Sequence, residues 1–134
     1  MIATAGRRIY FAGDTAYGRF FPEIRERLGP IDLALLPIGA YEPRWFMRAV
    51  HMNPEEAVQA HLDLRAAVSI GMHFGTFQLT KEAIDDPLRA LDEARRADSV
   101  TPSAFRALRF GESAVFRSGD FSPSRVPTRN TPAV

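Results

Sequence analysis

Short apolar segments recur along the first two thirds of the chain and predict strands. Residues 8–12 carry strand-forming side chains, and residues 1–4 predict a second strand that pairs with them through a turn at 5–7. The runs over 32–38 and 67–72 are almost continuously apolar, which is typical of strands covered on both faces. The pattern therefore predicts a hairpin followed by two buried strands.

Helical periodicity fills the intervals between these strands. Apolar side chains recur at helical spacing over 21–28, ahead of a Gly-Pro stop. Asn53, Pro54 and Glu56 have the spacing of a capping box with proline at the first helical position, which predicts a helix from there to about residue 65. A further helix is predicted from Asp86 onward.

The alternation of strands and helices predicts an α/β layered domain. Two more strands are expected over 105–110 and 113–116. From residue 118 the chain is rich in Pro, Ser, Thr and Arg, which predicts a domain over 1–117 and a disordered tail over 118–134.

Functional side chains of α/β sheets collect beyond the carboxyl ends of the strands. Asp14, the loop 39–52 and His73 each follow a predicted strand. Because these three segments belong to three different strands, the pattern predicts one site at one edge of the sheet.

Composition narrows the chemistry of that site. The 134 residues have a formal net charge of +1, which gives no electrostatic reason to expect nucleic-acid binding. There is no cysteine, so a thiolate nucleophile and Cys-ligated zinc are excluded. No segment approaches the about 20 apolar residues of a membrane span, and no signal peptide is evident, so we expect a cytoplasmic protein.

Asp14 and His73 are the candidate metal ligands. A sulfur-free metal site needs imidazoles and carboxylates held by rigid elements, and both residues follow strands. Gly13 is expected to allow a close backbone approach beside Asp14. The alternatives are that Asp14 caps its turn and that His73 is a core histidine bonded to a backbone carbonyl.

The loop after the third strand is rich in aromatic and charged side chains. Tyr41, Glu42, Arg44 and Trp45 would form the wall of a site for an amphiphilic substrate, with Arg44 meeting a phosphate or carboxylate. Alternatively, the aromatic side chains of the loop cover an edge of the core. His51, at the end of the loop, is either part of the site or a surface residue.

These segments resemble a known family. The stretch 9–15, Ile-Tyr-Phe-Ala-Gly-Asp-Thr, resembles the strand of metallo-β-lactamase-fold hydrolases that ends in a metal-bridging aspartate. The segments Gly-Ala-Tyr-Glu-Pro-Arg-Trp-Phe-Met, His-Met-Asn-Pro-Glu-Glu-Ala and Met-His-Phe-Gly-Thr-Phe, within 38–77, are similar to N-acylphosphatidylethanolamine-hydrolysing phospholipase D and its bacterial relatives. The resemblance covers roughly residues 1–117.

The resemblance implies an αββα sandwich with a dinuclear zinc site. Asp14 would bridge both zinc ions, His73 would bind one of them, and His51 would act beside the site in catalysis or substrate contact. Two cations that share a water would support phosphodiester hydrolysis of a phospholipid-like substrate. The implied function is that of a zinc-dependent phosphodiesterase of lipid metabolism.

The family's His-x-His-x-Asp-His signature, which belongs to its N-terminal half, is absent from this sequence. The chain therefore corresponds to the C-terminal half of the sandwich, and the rest of the site has to come from elsewhere. An uncovered sheet face favours association, so we expect either a homodimer or docking of the missing N-terminal half. The alternative functions are a sugar-phosphate lactonase or other ester hydrolase of the same fold, and a non-catalytic α/β binding or assembly module.

Overall fold

The computed structural model of this chain describes residues 2–4, 6–117 and 120–123. A five-stranded sheet has its strands in chain order, with the first strand antiparallel to the second and the other neighbours parallel. The strands are β1 (Ile2–Thr4), β2 (Arg7–Phe11), β3 (Leu33–Pro37), β4 (Val68–Met72) and β5 (Phe105–Ala107). The predicted hairpin, the strands over 32–38 and 67–72 and the α/β fold are confirmed. The expected cover on both faces is incomplete at β3, where Leu33 and Leu35 are only half-buried.

Four helices connect the strands: α1 (Phe20–Leu28), α2 (Arg44–Met47), α3 (Pro54–Leu64) and α4 (Asp86–Ala97). The predicted capping box is present at α3, since the side chains of Asn53 and Glu56 each accept a hydrogen bond from the other's backbone N–H. The short helix α2 lies in a segment that was expected to be a loop. Its four residues are too few to produce a helical period in the sequence.

The core lies between one face of the sheet and the helices. Ala34 and Leu36, alternate residues of β3, are fully buried against a cluster that includes Val58 and Leu64 of α3. Successive residues of a strand point to opposite faces, so the residues between the buried ones face the other side of the sheet. On that side Phe11 of β2 is 58% exposed. The sheet is therefore packed on its helical face and more open on the other.

A small second sheet follows the main one. β6 (Ala114–Arg117) pairs antiparallel with β7 (Asp120–Pro123). β5 ends at Ala107, three residues before the predicted end. β7 lies within the predicted tail; residues 118, 119 and 124–134 lie outside the described residues, so disorder there stays a prediction.

None of the helices in the part of the chain that the structure describes has the length and apolar character needed to span a bilayer. The cytoplasmic location stays a prediction.

Candidate metal centre

Asp14 stands just beyond the carboxyl end of β2. The chain leaves the sheet after Ala12, whose N–H donates to the carbonyl of Leu35 over 3.0 Å. Gly13 then takes a φ of +66°, which glycine adopts without strain. A Cβ at Gly13 would come no closer than 3.9 Å to any neighbour. No neighbour approaches Gly13 closely, so the expectation of a close approach is wrong. The turn needs glycine for its backbone angle instead.

His73 follows the end of β4 and has an unusual backbone. Its φ is +59°, a region that non-glycine residues rarely occupy and that often marks functional sites. The backbone of Gly39, after β3, passes so close that an added Cβ would lie 2.3 Å from the His73 carbonyl oxygen. Gly39 thus allows the two loops to approach, and this close contact sets the position of His73.

The two predicted ligands meet at the edge of the sheet. Nε2 of His73 lies 3.3 Å from Oδ1 of Asp14, and the Asp14 side chain is 65% exposed. Zinc bonds of about 2.0–2.2 Å at a tetrahedral angle place two ligand atoms roughly 3.4 Å apart. The two side chains are thus in direct contact as a His–Asp pair, and the same closeness would allow both to bind one cation.

His51 lies beside His73. Their ring centroids are 5.0 Å apart, with an interplanar angle of 33°. A hydrogen bond of 3.0 Å from the N–H of Met52 to the carbonyl of Thr15 joins the His51 loop to the Asp14 loop. Burial and the neighbouring His73 lower the pKa of His51, while Asp14 and Glu82 act in the opposite direction. The imidazole is therefore neutral at pH 7.

Nδ1 of His51 is buried and has no hydrogen-bond partner within the described residues. A buried polar atom that lacks a partner is costly and usually has a functional explanation. His51 is thus suited to contact a group that is not part of this chain.

A cavity of about 720 Å³ opens in front of these residues. Asp14, His51 and His73 all line it, together with Glu42 and Lys81; its apolar wall includes Phe46, Met47 and Leu79. The candidate ligands therefore face a space large enough for a small-molecule group.

A second cavity, of about 310 Å³, shares His73, Ala40, Leu79 and Thr80 with the first. Its other lining residues are mostly apolar or small and include Phe74, Gly75, Phe77, Ala83 and Pro87. The cavity that Asp14, His51 and Lys81 line thus adjoins a more apolar cavity at His73.

Of the four residues predicted to contact substrate, Glu42 alone lines the larger cavity. Glu42 lines the larger cavity, and the backbone of Tyr41 lies beside it, although the Tyr41 side chain is buried. Burial, together with Glu82, Asp86 and Glu42, raises the pKa of Tyr41 to about 12. Trp45 is 85% exposed and stacks edge-on with Phe46. The structure brings Glu42 to the cavity, while Tyr41 and Trp45 are absent from its lining.

Arg44 contacts the protein rather than either of these cavities. Its guanidinium donates to Oε2 of Glu56 over 2.7 Å and to the carbonyls of His51 (3.0 Å) and Tyr41 (3.3 Å). These bonds join the loop to the capped start of α3. Arg44 therefore positions the His51 loop in this structure.

Glu82, which the sequence reasoning did not single out, fixes the other end of this loop. Its carboxylate accepts hydrogen bonds from the backbone N–H groups of Tyr41 and Glu42, both at 3.1 Å. Burial would raise the pKa of Glu82, but the hydrogen bonds from Thr80 and from the backbone outweigh it and keep the pKa low. No sequence motif marks this role, because the partners are backbone groups 40 residues away.

The donors fit part of a metal site. Within residues 2–4, 6–117 and 120–123, no group of three or more His, Asp or Glu side chains is arranged to hold a metal ion. Asp14 and His73 could supply two metal ligands, whereas a catalytic zinc ion normally needs three protein ligands. The remaining ligands would have to come from another chain or segment.

Comparisons with known proteins bear on the family and the fold. Residues 1–74 match the family described as a β-lactamase superfamily domain. N-acyl-phosphatidylethanolamine-hydrolyzing phospholipase D 1 of Caenorhabditis elegans is 47% identical over 109 residues, which are 79% of this chain and 31% of that protein. The UPF0173 metal-dependent hydrolase PAE2160 of Pyrobaculum aerophilum is 39% identical over 72% of this chain and 39% of its own length.

Among solved structures, the metallo-β-lactamase fold protein YhfI of Bacillus subtilis superposes with a TM-score of 0.54. The match covers 79% of this chain and 39% of YhfI at 22% identity, so it bears on the fold alone. The metallo-β-lactamase fold predicted from the sequence is confirmed. The chain spans about a third of the length of the relatives it matches.

Proposed function

We propose that this chain, which belongs to the metallo-β-lactamase superfamily, supplies Asp14 and His73 to the metal site of a phosphodiesterase. The observation that carries the proposal is the 3.3 Å contact between Oδ1 of Asp14 and Nε2 of His73. These two atoms come from loops after different strands, and their spacing suits a shared cation. Asp14 and His73 would be this chain's ligands to the bound zinc.

The chain's own residues provide the remaining functions on this side of the site. Bound zinc ions would supply Lewis acidity and an activated water. His51, which lines the larger cavity beside His73, would accept or return a proton there. Arg44 and Glu82 hold the His51 loop in place. His51 is thus the proposed catalytic residue of this chain.

The substrate is a phosphodiester with an apolar substituent, of the N-acylphosphatidylethanolamine type. The larger cavity, at Asp14 and Lys81, would receive the phosphoryl group, and the adjoining cavity at Phe74 and Phe77 would receive hydrocarbon. The similarity to the C. elegans phospholipase D supports this substrate class.

Zinc content tests the ligand assignment. The isolated chain should hold little tightly bound zinc, because it contributes two ligands. Adding an N-terminal half with the family's histidine signature should restore zinc binding and phosphodiester turnover. Asp14→Ala and His73→Ala should each abolish the restored binding, measured by elemental analysis, while His61→Gln, away from the site, should not. Normal zinc binding by the reconstituted Asp14→Ala and His73→Ala variants would show that the assignment is wrong.

A second candidate is an ester or lactone hydrolase of the same fold. The similarity to a UPF0173 metal-dependent hydrolase favours it, because that name specifies metal-dependent hydrolysis without naming a substrate. Turnover of a carboxylic ester or a sugar-phosphate lactone by the reconstituted protein, without phosphodiester turnover, would favour this candidate.

The partner that completes the site is expected on the more open sheet face. Ile9, Phe11, Leu33 and Leu35 share that face by strand alternation and register. We expect either an N-terminal half-domain or a second copy to cover these side chains. Sedimentation of the isolated chain should show a dimer or larger species, and Phe11→Ser should weaken the association. A stable monomer with Phe11 in place would count against this expectation.

A further inference from the structure

Lys81 is the single cationic side chain among the residues that line the larger cavity. The sequence contains no other lysine. The two acidic residues of the same lining are Asp14 and Glu42, yet Lys81 forms no ion pair or hydrogen bond with any residue in the described ranges. The cavity is therefore bordered by a lysine that has no partner among the described residues.

The backbone around Lys81 is held on both sides. Glu82, the next residue, accepts the two backbone hydrogen bonds from Tyr41 and Glu42, at 3.1 Å each. The Thr80 side chain, on the other side, hydrogen-bonds to Glu82 as well. Since these contacts fix the segment against the loop after β3, Lys81 stays at the wall of the cavity.

Two arginines near the site, Arg44 and Arg48, already have partners in the protein. Arg44 is bonded to Glu56 and to backbone carbonyls, and Arg48 lies 3.7 Å from the same carboxylate. Both arginines line a separate cavity of about 520 Å³, on the side of Asn53 and Glu56. Lys81 is thus the cation available to a ligand beside Asp14 and His73.

We propose that Lys81 binds a phosphate oxyanion in the larger cavity and that Glu82 is the positioning residue that holds it there. An ammonium offers three donors and a compact charge, which suits contact with a phosphate oxygen. This inference rests on the proposed function, because it assigns a contact to the phosphoryl group of that substrate. In this role Lys81 favours anionic ligands over neutral esters.

The unique lysine allows a direct test on the metal-free chain. Lys81 is acylated with an amine-reactive reagent, and the rate is followed by mass spectrometry of the peptide that contains it. Inorganic phosphate or a soluble glycerophosphodiester should slow acylation several-fold relative to sodium chloride of equal ionic strength, which controls for screening. Glu82→Gln should reduce this protection.

A matched control moves the lysine away from the cavity. The double variant Lys81→Arg, Arg27→Lys places the only lysine on the exposed surface of α1, where Arg27 is 80% exposed. Phosphate should leave its acylation rate unchanged. Equal protection at both positions, or no protection of Lys81, would overturn the proposal.

The two proposals fail separately. If phosphate protects Lys81 but the reconstituted protein hydrolyses no phosphodiester, the anion contact stands and the proposed reaction does not. If the reconstituted protein is active but Lys81 is unprotected, the proposed reaction stands and the anion contact does not.

In an active protein, Lys81→Met should raise the KM for the phosphodiester several-fold with little change in kcat, and Lys81→Arg should restore the KM.

Discussion

The helical face of the sheet and the carboxyl edge of the sheet are built in opposite ways. On the helical face, Phe21, Leu36 and Leu64 are fully buried. At the edge, Trp45 and Phe77 are largely exposed, and His73 has a strained backbone. The contrast shows that the helical face is a packed core, whereas the edge presents exposed side chains around Asp14 and His73. Stability and function can therefore be perturbed separately.

The largest expected effect is on the core. Phe21 is fully buried, stacks on Tyr17 at 5.8 Å and meets Tyr10 edge-on at 6.1 Å. Phe21→Ala should lower the free energy of unfolding by about 3–5 kcal/mol, measured by denaturant titration. Trp45→Ala, at the exposed edge, should change it by less than about 0.5 kcal/mol. A large loss for Trp45→Ala would mean that the edge belongs to the core.

The contact that positions His73 should give the next largest effect. In Gly39→Ala the new Cβ would meet the His73 carbonyl, and relieving such overpacking costs about 1–3 kcal/mol. The imidazole resonances of His73 and His51 should shift in NMR spectra. In Gly18→Ala the new Cβ meets only the ring of Phe20, which is partly exposed and can move, so those resonances should stay unchanged.

The helix caps offer a smaller and closely matched pair. Asn53 accepts from the Glu56 backbone at the start of α3, whereas Asp85 at the start of α4 makes no side-chain cap bond. Asn53→Ala should therefore cost about 1 kcal/mol, and Asp85→Ala much less, by thermal or denaturant unfolding. Equal costs would show that the capping box contributes little to holding the His51 loop.

The smallest expected effect is a loss of folding stability when the pH is lowered from neutral. Burial lowers the pKa of His61, whose Nδ1 lies 2.8 Å from Oγ of Ser69. The unfolded chain then binds a proton more readily than the folded one, so stability is full above about pH 6.5. It should fall as the pH drops below that value. His61→Gln should flatten this dependence in unfolding curves collected from pH 7.5 to 5, and an unchanged slope would assign the loss to other groups.

The regular elements could be predicted because their signals are local. The Asn53 capping box, the apolar runs of β3 and β4 and the turn at Gly6 each specify a backbone conformation within a few residues. The placement of Asp14 and His73 after strands could also be predicted, since parallel strands bring their carboxyl ends to one edge.

The roles of Arg44, Glu82 and Gly39 could not be predicted in this way. Arg44 was expected to meet substrate, but Glu56 and two carbonyls satisfy its guanidinium. Glu82 acts through backbone groups far along the chain, and Gly39 is needed because the His73 backbone passes beside it. Such contacts leave no periodic or motif signal.

The sequence by itself determined the order of the strands and helices other than α2 and β7, the superfamily resemblance and the placement of Asp14 and His73 after strands, because these depend on local periodicity and motif spacing. The tertiary structure alone decided the 3.3 Å contact between Asp14 and His73, the stacking of His51, and the cavity that Lys81 lines. These features arise from loops that meet only after the sheet has formed, so their geometry depends on packing between residues distant in the chain.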